Sequence, residues 1–144
     1  MGHPADISGL SQIGHSALGG FGDGMQVMRQ GEEVVSVCPV PEGDFCDGAH
    51  CLHENRPGSY RSGELIFATY LNAGLRVYDV ADASSPRDIA HWIPECPPDQ
   101  AAAQVNDVWV GEDHLVYVTD RVNGGVYILA PEPELSARMT AAST

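Results

Sequence analysis

Leu65-Ile66-Phe67-Ala68-Thr69-Tyr70-Leu71, then Asn72-Ala73-Gly74, then Leu75-Arg76-Val77-Tyr78-Asp79-Val80 is the stretch on which the fold turns. Two runs rich in β-branched and aromatic residues flank a short glycine-containing turn, and the second run alternates along its length. That combination predicts an antiparallel strand pair. The pattern then recurs downstream. Leu65-Ile66-Phe67-Ala68-Thr69 aligns with Leu115-Val116-Tyr117-Val118-Thr119 at an offset of 50, and Asn72-Ala73-Gly74-Leu75-Arg76-Val77 aligns with Asn123-Gly124-Gly125-Val126-Tyr127-Ile128 at an offset of 51. One residue inserted in the turn reconciles the two.

Self-similar β units with a period of roughly 40–50 residues are the signature of propeller blades, each of which exposes apolar faces that only a neighbour covers. The rest of the chain fits units of that kind. Strand signals begin at Met25-Gln26-Val27-Met28 and Val34-Val35-Ser36-Val37, a hairpin that echoes residues 108–118 at an offset of 81. Further strands are expected at residues 88–93, 105–110, 115–119 and 125–129, with one helical turn at residues 99–103. Residues 1–24 are glycine-rich and read as an irregular, partly ordered arm, and the tail from residue 131 holds at most a short helix around residues 134–139. The expected organisation is therefore an arm over 1–24, blade units at about 25–48, 49–96 and 104–130, and a tail over 131–144. The fold class is all-β, built of antiparallel blade-like units of an incomplete β-propeller.

Composition narrows the partners. The chain has 144 residues, seven arginines, no lysine and 20 acidic residues, for a net charge of −13. A polyanion would repel it, so nucleic acid is excluded as a partner, and an anionic membrane surface is disfavoured for the same reason. The apolar runs fall far short of the roughly 20 residues that span a bilayer. The N-terminal Met1-Gly2-His3-Pro4-Ala5-Asp6 lacks the basic start and apolar core of a secretory signal. With Cys38, Cys46, Cys51 and Cys96 in a chain large enough for a hydrophobic core, free thiols in a reducing, cytoplasmic compartment are the expectation.

Leu75-Arg76-Val77-Tyr78-Asp79-Val80, followed by Asp82-Ala83-Ser84-Ser85-Pro86, resembles the LVIVD-type repeat of bacterial and archaeal β-propellers. In that repeat a Gly-Leu-apolar-x-apolar-Asp-apolar strand runs into a turn that ends in Pro. Gly125-Val126-Tyr127-Ile128-Leu129 resembles a degenerate second copy without the Asp. Gly48-Ala49-His50-Cys51-Leu52-His53-Glu54-Asn55-Arg56-Pro57-Gly58 is similar to the stretch that opens the penultimate blade in long members of the group. The resemblance covers about residues 49–130 and implies a propeller fold without specifying an activity. Those long members are several times this length, so the resemblance also implies that the middle of the ring is missing.

His50, His53 and Glu54 form the densest group of metal-ligating side chains, donors suited to a divalent transition metal. They converge if the backbone is helical there, and split between two faces on a strand. Four residues after His53 stands Pro57, so the paired-histidine zincin motif is absent, and the cysteines lack a C-x-x-C pair. Innermost strands line a propeller's channel, which places Asp23, Gln26, His50, His53, Glu54, Asn106 and Asp107 near its mouth, with Arg56 available to hold a carboxylate substrate. The structural alternatives are loop hydrogen bonds for the histidines, turn termination by Asn106-Asp107, and an ion pair for Arg56. His15-Ser16 lacks a nucleophile-elbow context, and Gly19-Gly20-Phe21-Gly22-Asp23-Gly24 lacks the Lys and helix of a phosphate loop. Trp92 and Trp109 are expected to pack between blades.

Two functions are therefore set against each other. The first is a non-catalytic binding or scaffold module that meets a protein partner, or a second copy, through an exposed blade face. The second is a metal-dependent hydrolase or oxidoreductase using His50, His53 and Glu54. At roughly 40–50 residues per blade the chain holds about three units, fewer than the four to eight of closed rings. An apolar face must then be exposed, capped by the N-terminal arm, or buried against another copy.

Overall fold

Gly74 explains why the deciding stretch closes as a hairpin: its φ is +74°, open only to glycine at low cost, and a Cβ there would overlap the Trp92 carbonyl oxygen. The turn joins β4 (Leu65–Thr69) to β5 (Leu75–Asp79), which pair in register from Leu65 with Asp79 to Thr69 with Leu75. The computed structural model describes residues 5–16, 50–96 and 98–144. The predicted hairpin at 25–37, the unit at 25–48, and the candidates Asp23 and Gln26 lie outside the described residues.

Among the described residues the fold is all-β, in two antiparallel sheets. The first contains β1 (Asp6–Ser8), β3 (Cys51–Leu52), β4, β5 and β6 (Arg87–Ile93), in the order β1-β6-β5-β4-β3. The second contains β2 (Leu10–Ser16), β7 (Val105–Val110), β8 (Val116–Asp120) and β9 (Val126–Pro131), in the order β2-β9-β8-β7. The internal repeat maps onto equivalent positions. β3 and β7 come first in their sheets, β4 and β8 second, β5 and β9 third, and the second turn again places glycines, Gly124 and Gly125, at positive φ.

The fourth position separates the two sheets. In the first it is filled by β6, the next strand in the chain. In the second the chain leaves β9 for a helix, α1 (Pro133–Ala142), and the vacancy is taken by β2 from the N-terminal side. The irregular arm expected over 1–24 is thus corrected within residues 6–16, which form two strands. Gly9, at φ +73°, carries the chain from the first sheet to the second, where a Cβ would crowd Ala90, and its carbonyl accepts from the Glu132 N–H. The helical turn expected over 99–103 is also absent; the residues described there form turns and bends.

Alternation buries Leu65, Phe67, Leu75, Val77, Ala90 and Trp92 of the first sheet against Val108, Val110, Val116, Val118, Tyr127 and Leu129 of the second. Leu10 of β2 and Leu135, Met139 and Ala142 of α1 extend this core. On the other face of the first sheet, Ala68, Tyr70, Ala73 and Tyr78 are also buried, so β5 has no exposed side.

The Asp of the LVIVD-like stretch has a definite structural task. Asp79 accepts from the Ala81 N–H at 3.0 Å, from Arg87 at 3.0 Å and from Arg138 of α1 at 2.8 and 3.1 Å. It shapes the exit from the third strand and ties it to the fourth. The corresponding residue of the second copy is Ala130, where the chain makes no such turn. Among the described residues no helix is long and apolar enough to cross a membrane.

Candidate functional site

The first strands of the two sheets lie side by side, and the polar residues singled out in the sequence meet at that seam. The His50 imidazole Nδ1 sits 3.2 Å from the Asn106 carbonyl oxygen, to which it donates, and 3.3 Å from the Cys51 Sγ. The Thr69 hydroxyl donates to the same carbonyl at 2.9 Å, and Asn106 Oδ1 accepts from Arg121 at 2.8 Å. Asp107 is buried beside Cys51, with its Oδ1 accepting from the Val108 N–H at 2.8 Å. Burial first, and the Asp107 carboxylate second, push the Cys51 thiol up to about 11. Burial likewise raises the Asp107 carboxyl, against the opposing pull of the Val108 N–H. Cys51 therefore stays protonated at neutral pH and is a poor nucleophile.

His53 is committed to the backbone on both sides. Its Nε2 donates to the Tyr60 carbonyl at 2.8 Å and its Nδ1 accepts from the Val110 N–H at 3.1 Å. This pattern requires the neutral ring, and burial lowers its proton affinity further, despite the favourable Tyr60 contact. Tyr60 N–H in turn donates to the Val110 carbonyl at 3.0 Å, so His53 fixes the 53–60 loop of the first sheet to β7 of the second. Glu54 is bound by the Arg56 guanidinium, through Nε at 2.7 Å and through the terminal nitrogen.

His50, His53 and Glu54 therefore do not come together as metal ligands. Only residues 51–52 are strand, the turn of helix that would converge the three does not form, and each side chain has a different protein partner. Among the described residues no group of three His, Cys, Asp or Glu side chains is placed to hold a metal ion. The donor set does not fit the divalent transition metal expected of it. Asn106, Asp107 and His50 do share the seam, whereas Arg56 is exposed and engaged with Glu54.

The feature missed by sequence reasoning lies on the outer face of the second sheet. Trp92 is fully buried as expected, packing against Tyr127 at 4.7 Å between ring centroids, but Trp109 is 41% exposed. Direct cross-strand pairing puts Trp109, Tyr117, Ile128 and Gly14 in one row across β7, β8, β9 and β2. The next row is Asp107, Thr119, Val126 and Ser16. The Trp109 and Tyr117 rings lie 5.2 Å apart, and a depression of 320 Å³ opens beside them, lined by Asp107, Val108, Thr119 and Val126 as well. Only one of these side chains, Asp107, is ionisable near neutral pH. Alternation along β7 and β8 gave a signal for this face, but it does not say whether a further layer covers it.

Compared with known proteins, the chain matches no family model, no curated protein and no solved structure.

Proposed function

We propose that this chain is a propeller-type repeat module of the LVIVD kind that binds a protein surface and carries out no chemistry of its own. The observation that carries the reading is Trp109, a large aromatic side chain 41% exposed on the edge strand β7, beside a depression in which Asp107 is the one side chain ionisable near neutral pH. Apolar sheet faces are normally covered, and an open one rimmed by polar groups marks an interaction site. The seam supports the same reading from the other side. His53 has both nitrogens engaged by backbone groups and Cys51 is held protonated, so the densest group of reactive residue types serves to join the sheets.

Nile red, a neutral apolar dye, tests the open face without responding to the net charge. Fluorescence enhancement on the folded protein, reduced at least severalfold by Trp109→Glu at unchanged circular dichroism, is the expected result. Enhancement equal in the two proteins would place the apolar surface elsewhere and refute the reading.

A further inference from the structure

We infer that the depression beside Trp109 and Tyr117 receives an arginine side chain of a protein partner, its guanidinium held between the two rings and the Asp107 carboxylate. The inference rests on the binding-module reading and deepens it by giving the chemistry of the partner.

Charge complementarity carries it. Asp107 lines the depression while only 9% exposed, with its Oδ1 taken by the Val108 N–H and the Cys51 thiol beside it. Among the described residues no cation forms an ion pair with it. The nearby Arg56 is bound to Glu54, Arg121 donates to the Asn106 side chain, and the His50 Nδ1 donates to the Asn106 carbonyl. A buried carboxylate without a cation is costly, and a guanidinium from outside supplies the missing partner. At longer range the chain, at −13 and without lysine, attracts basic surfaces and repels acidic ones.

Geometry selects arginine. Asp107 and Trp109 stand two residues apart on one face of β7, which separates their Cα atoms by about 7 Å. The Trp109 and Tyr117 rings, 5.2 Å apart and inclined at 52°, form one wall of the depression. A cation within about 6 Å of a ring centroid, the range of a cation–π contact, is then also within reach of the carboxylate. A planar guanidinium can stack on a ring and donate along its edge to a carboxylate at the same time, which the point charge of an ammonium cannot do.

The extent of the face selects a protein over a free small cation. The row Trp109, Tyr117, Ile128 and Gly14 crosses three strand spacings, about 14 Å, and next to Gly14 the bulge residue Ile13 is 58% exposed. The face is therefore aromatic and acidic at its β7 end and aliphatic toward β2. A small cation fills only the first part, whereas an arginine flanked by apolar residues covers both.

Titration of the isotopically labelled full chain with the peptide acetyl-Leu-Gly-Arg-Gly-Leu-amide is the test, followed by the NMR shifts of the Trp109 indole N–H and the Thr119 amide. The buried Trp92 indole serves as the internal reference. Saturable shifts that weaken with added salt are expected. Citrulline, the neutral isostere, in place of arginine should weaken binding about 10-fold or more, and so should Asp107→Asn, which keeps an oxygen for the Val108 N–H. Trp109→Leu should weaken it about fivefold, read at Thr119. The absence of saturable shifts, or an affinity indifferent to citrulline or to Asp107→Asn, would overturn the inference. Tetramethylammonium binding tighter than the peptide would overturn it too, in favour of a small quaternary ammonium ligand. The Nile red result separates the two readings when the peptide fails. Enhancement that still depends on Trp109 keeps a module for an uncharged partner, and enhancement indifferent to Trp109 removes both.

Discussion

Arg138 of α1 reaches back from the end of the second sheet to grip the first, and its replacement by methionine gives a prediction with a workable magnitude. It donates twice to Asp79, at 2.8 and 3.1 Å, and once to Glu64 at 2.8 Å. The Glu64 side chain is 51% exposed, so that bond adds little. The Asp79 side chain is 5% exposed, and charge-assisted bonds to such a group are worth about 1.5–3 kcal/mol. Removing Arg138 does not orphan the carboxylate, because Arg87 and the Ala81 N–H still hold it. The cost should therefore fall below the 3–5 kcal/mol of a fully broken buried pair, at about 2 kcal/mol. Methionine keeps the apolar stem, which isolates the charge.

With a urea dependence of roughly 2 kcal/mol per molar for a domain of this size, the midpoint in Arg138→Met should fall by about 1 M at pH 7. The pH dependence has a definite sign. The Arg138 guanidinium, more than any other neighbour, holds the Asp79 carboxyl well below the usual carboxylate range. Its stabilisation is complete above the unfolded value of about 3.9 and is lost as pH falls toward the folded one. The gap between the two proteins should stay constant from pH 7 to 5 and shrink below about pH 4. A midpoint shift under about 0.3 M at pH 7, or a gap that widens on acidification, would refute the reasoning.

Two further perturbations separate backbone strain from crowding, and burial from charge. Gly58, at φ +81°, has open space where a Cβ would go, so Gly58→Ala should cost only the left-handed penalty, about 1 kcal/mol. Gly74→Ala adds the clash with the Trp92 carbonyl and crowding of Ile93, and should cost about 3 kcal/mol or more, so equal melting shifts for the two would tell against the hairpin geometry. Cys51, pushed up to about 11, should react with iodoacetamide at pH 8 about 100-fold more slowly than a free peptide thiol, as read by peptide mapping. Asp107→Asn should lower its pKa and speed the reaction, and a wild-type rate equal to that of the free peptide would rule out the described burial.

Local pattern carried most of the two central hairpins, and for a physical reason. In 65–79 and 116–131 the strands that pair are neighbours in sequence, so the turn glycines and the alternation are both visible in one short window. The offset between the copies was legible because the same turn recurs. Residues 6–16 were not, since their partners are 80 or more residues away and the surrounding glycine masks the strand signal. Part of that glycine is itself a consequence of the pairing: Gly9 changes sheets against Ala90. Asp79 was visible only as a motif letter, and its pairing with Arg138 depends on a helix 59 residues on. His53 looked like a ligand because its residue type is reactive, whereas its partners are backbone groups, which leave no mark in a sequence. Trp109 was assigned to packing because alternation identifies a face without identifying its neighbour.

The account depends on β2 completing the second sheet, because this pairing leaves that sheet with one open face and places Gly14 on it. Amide hydrogen exchange of the segment 10–16, followed beside that of Val126–Pro131, tests this directly. Protection of the two segments should be comparable and lost together in denaturant. Exchange of 10–16 at the rate of an unstructured chain, while Val126–Pro131 stays protected, would contradict it.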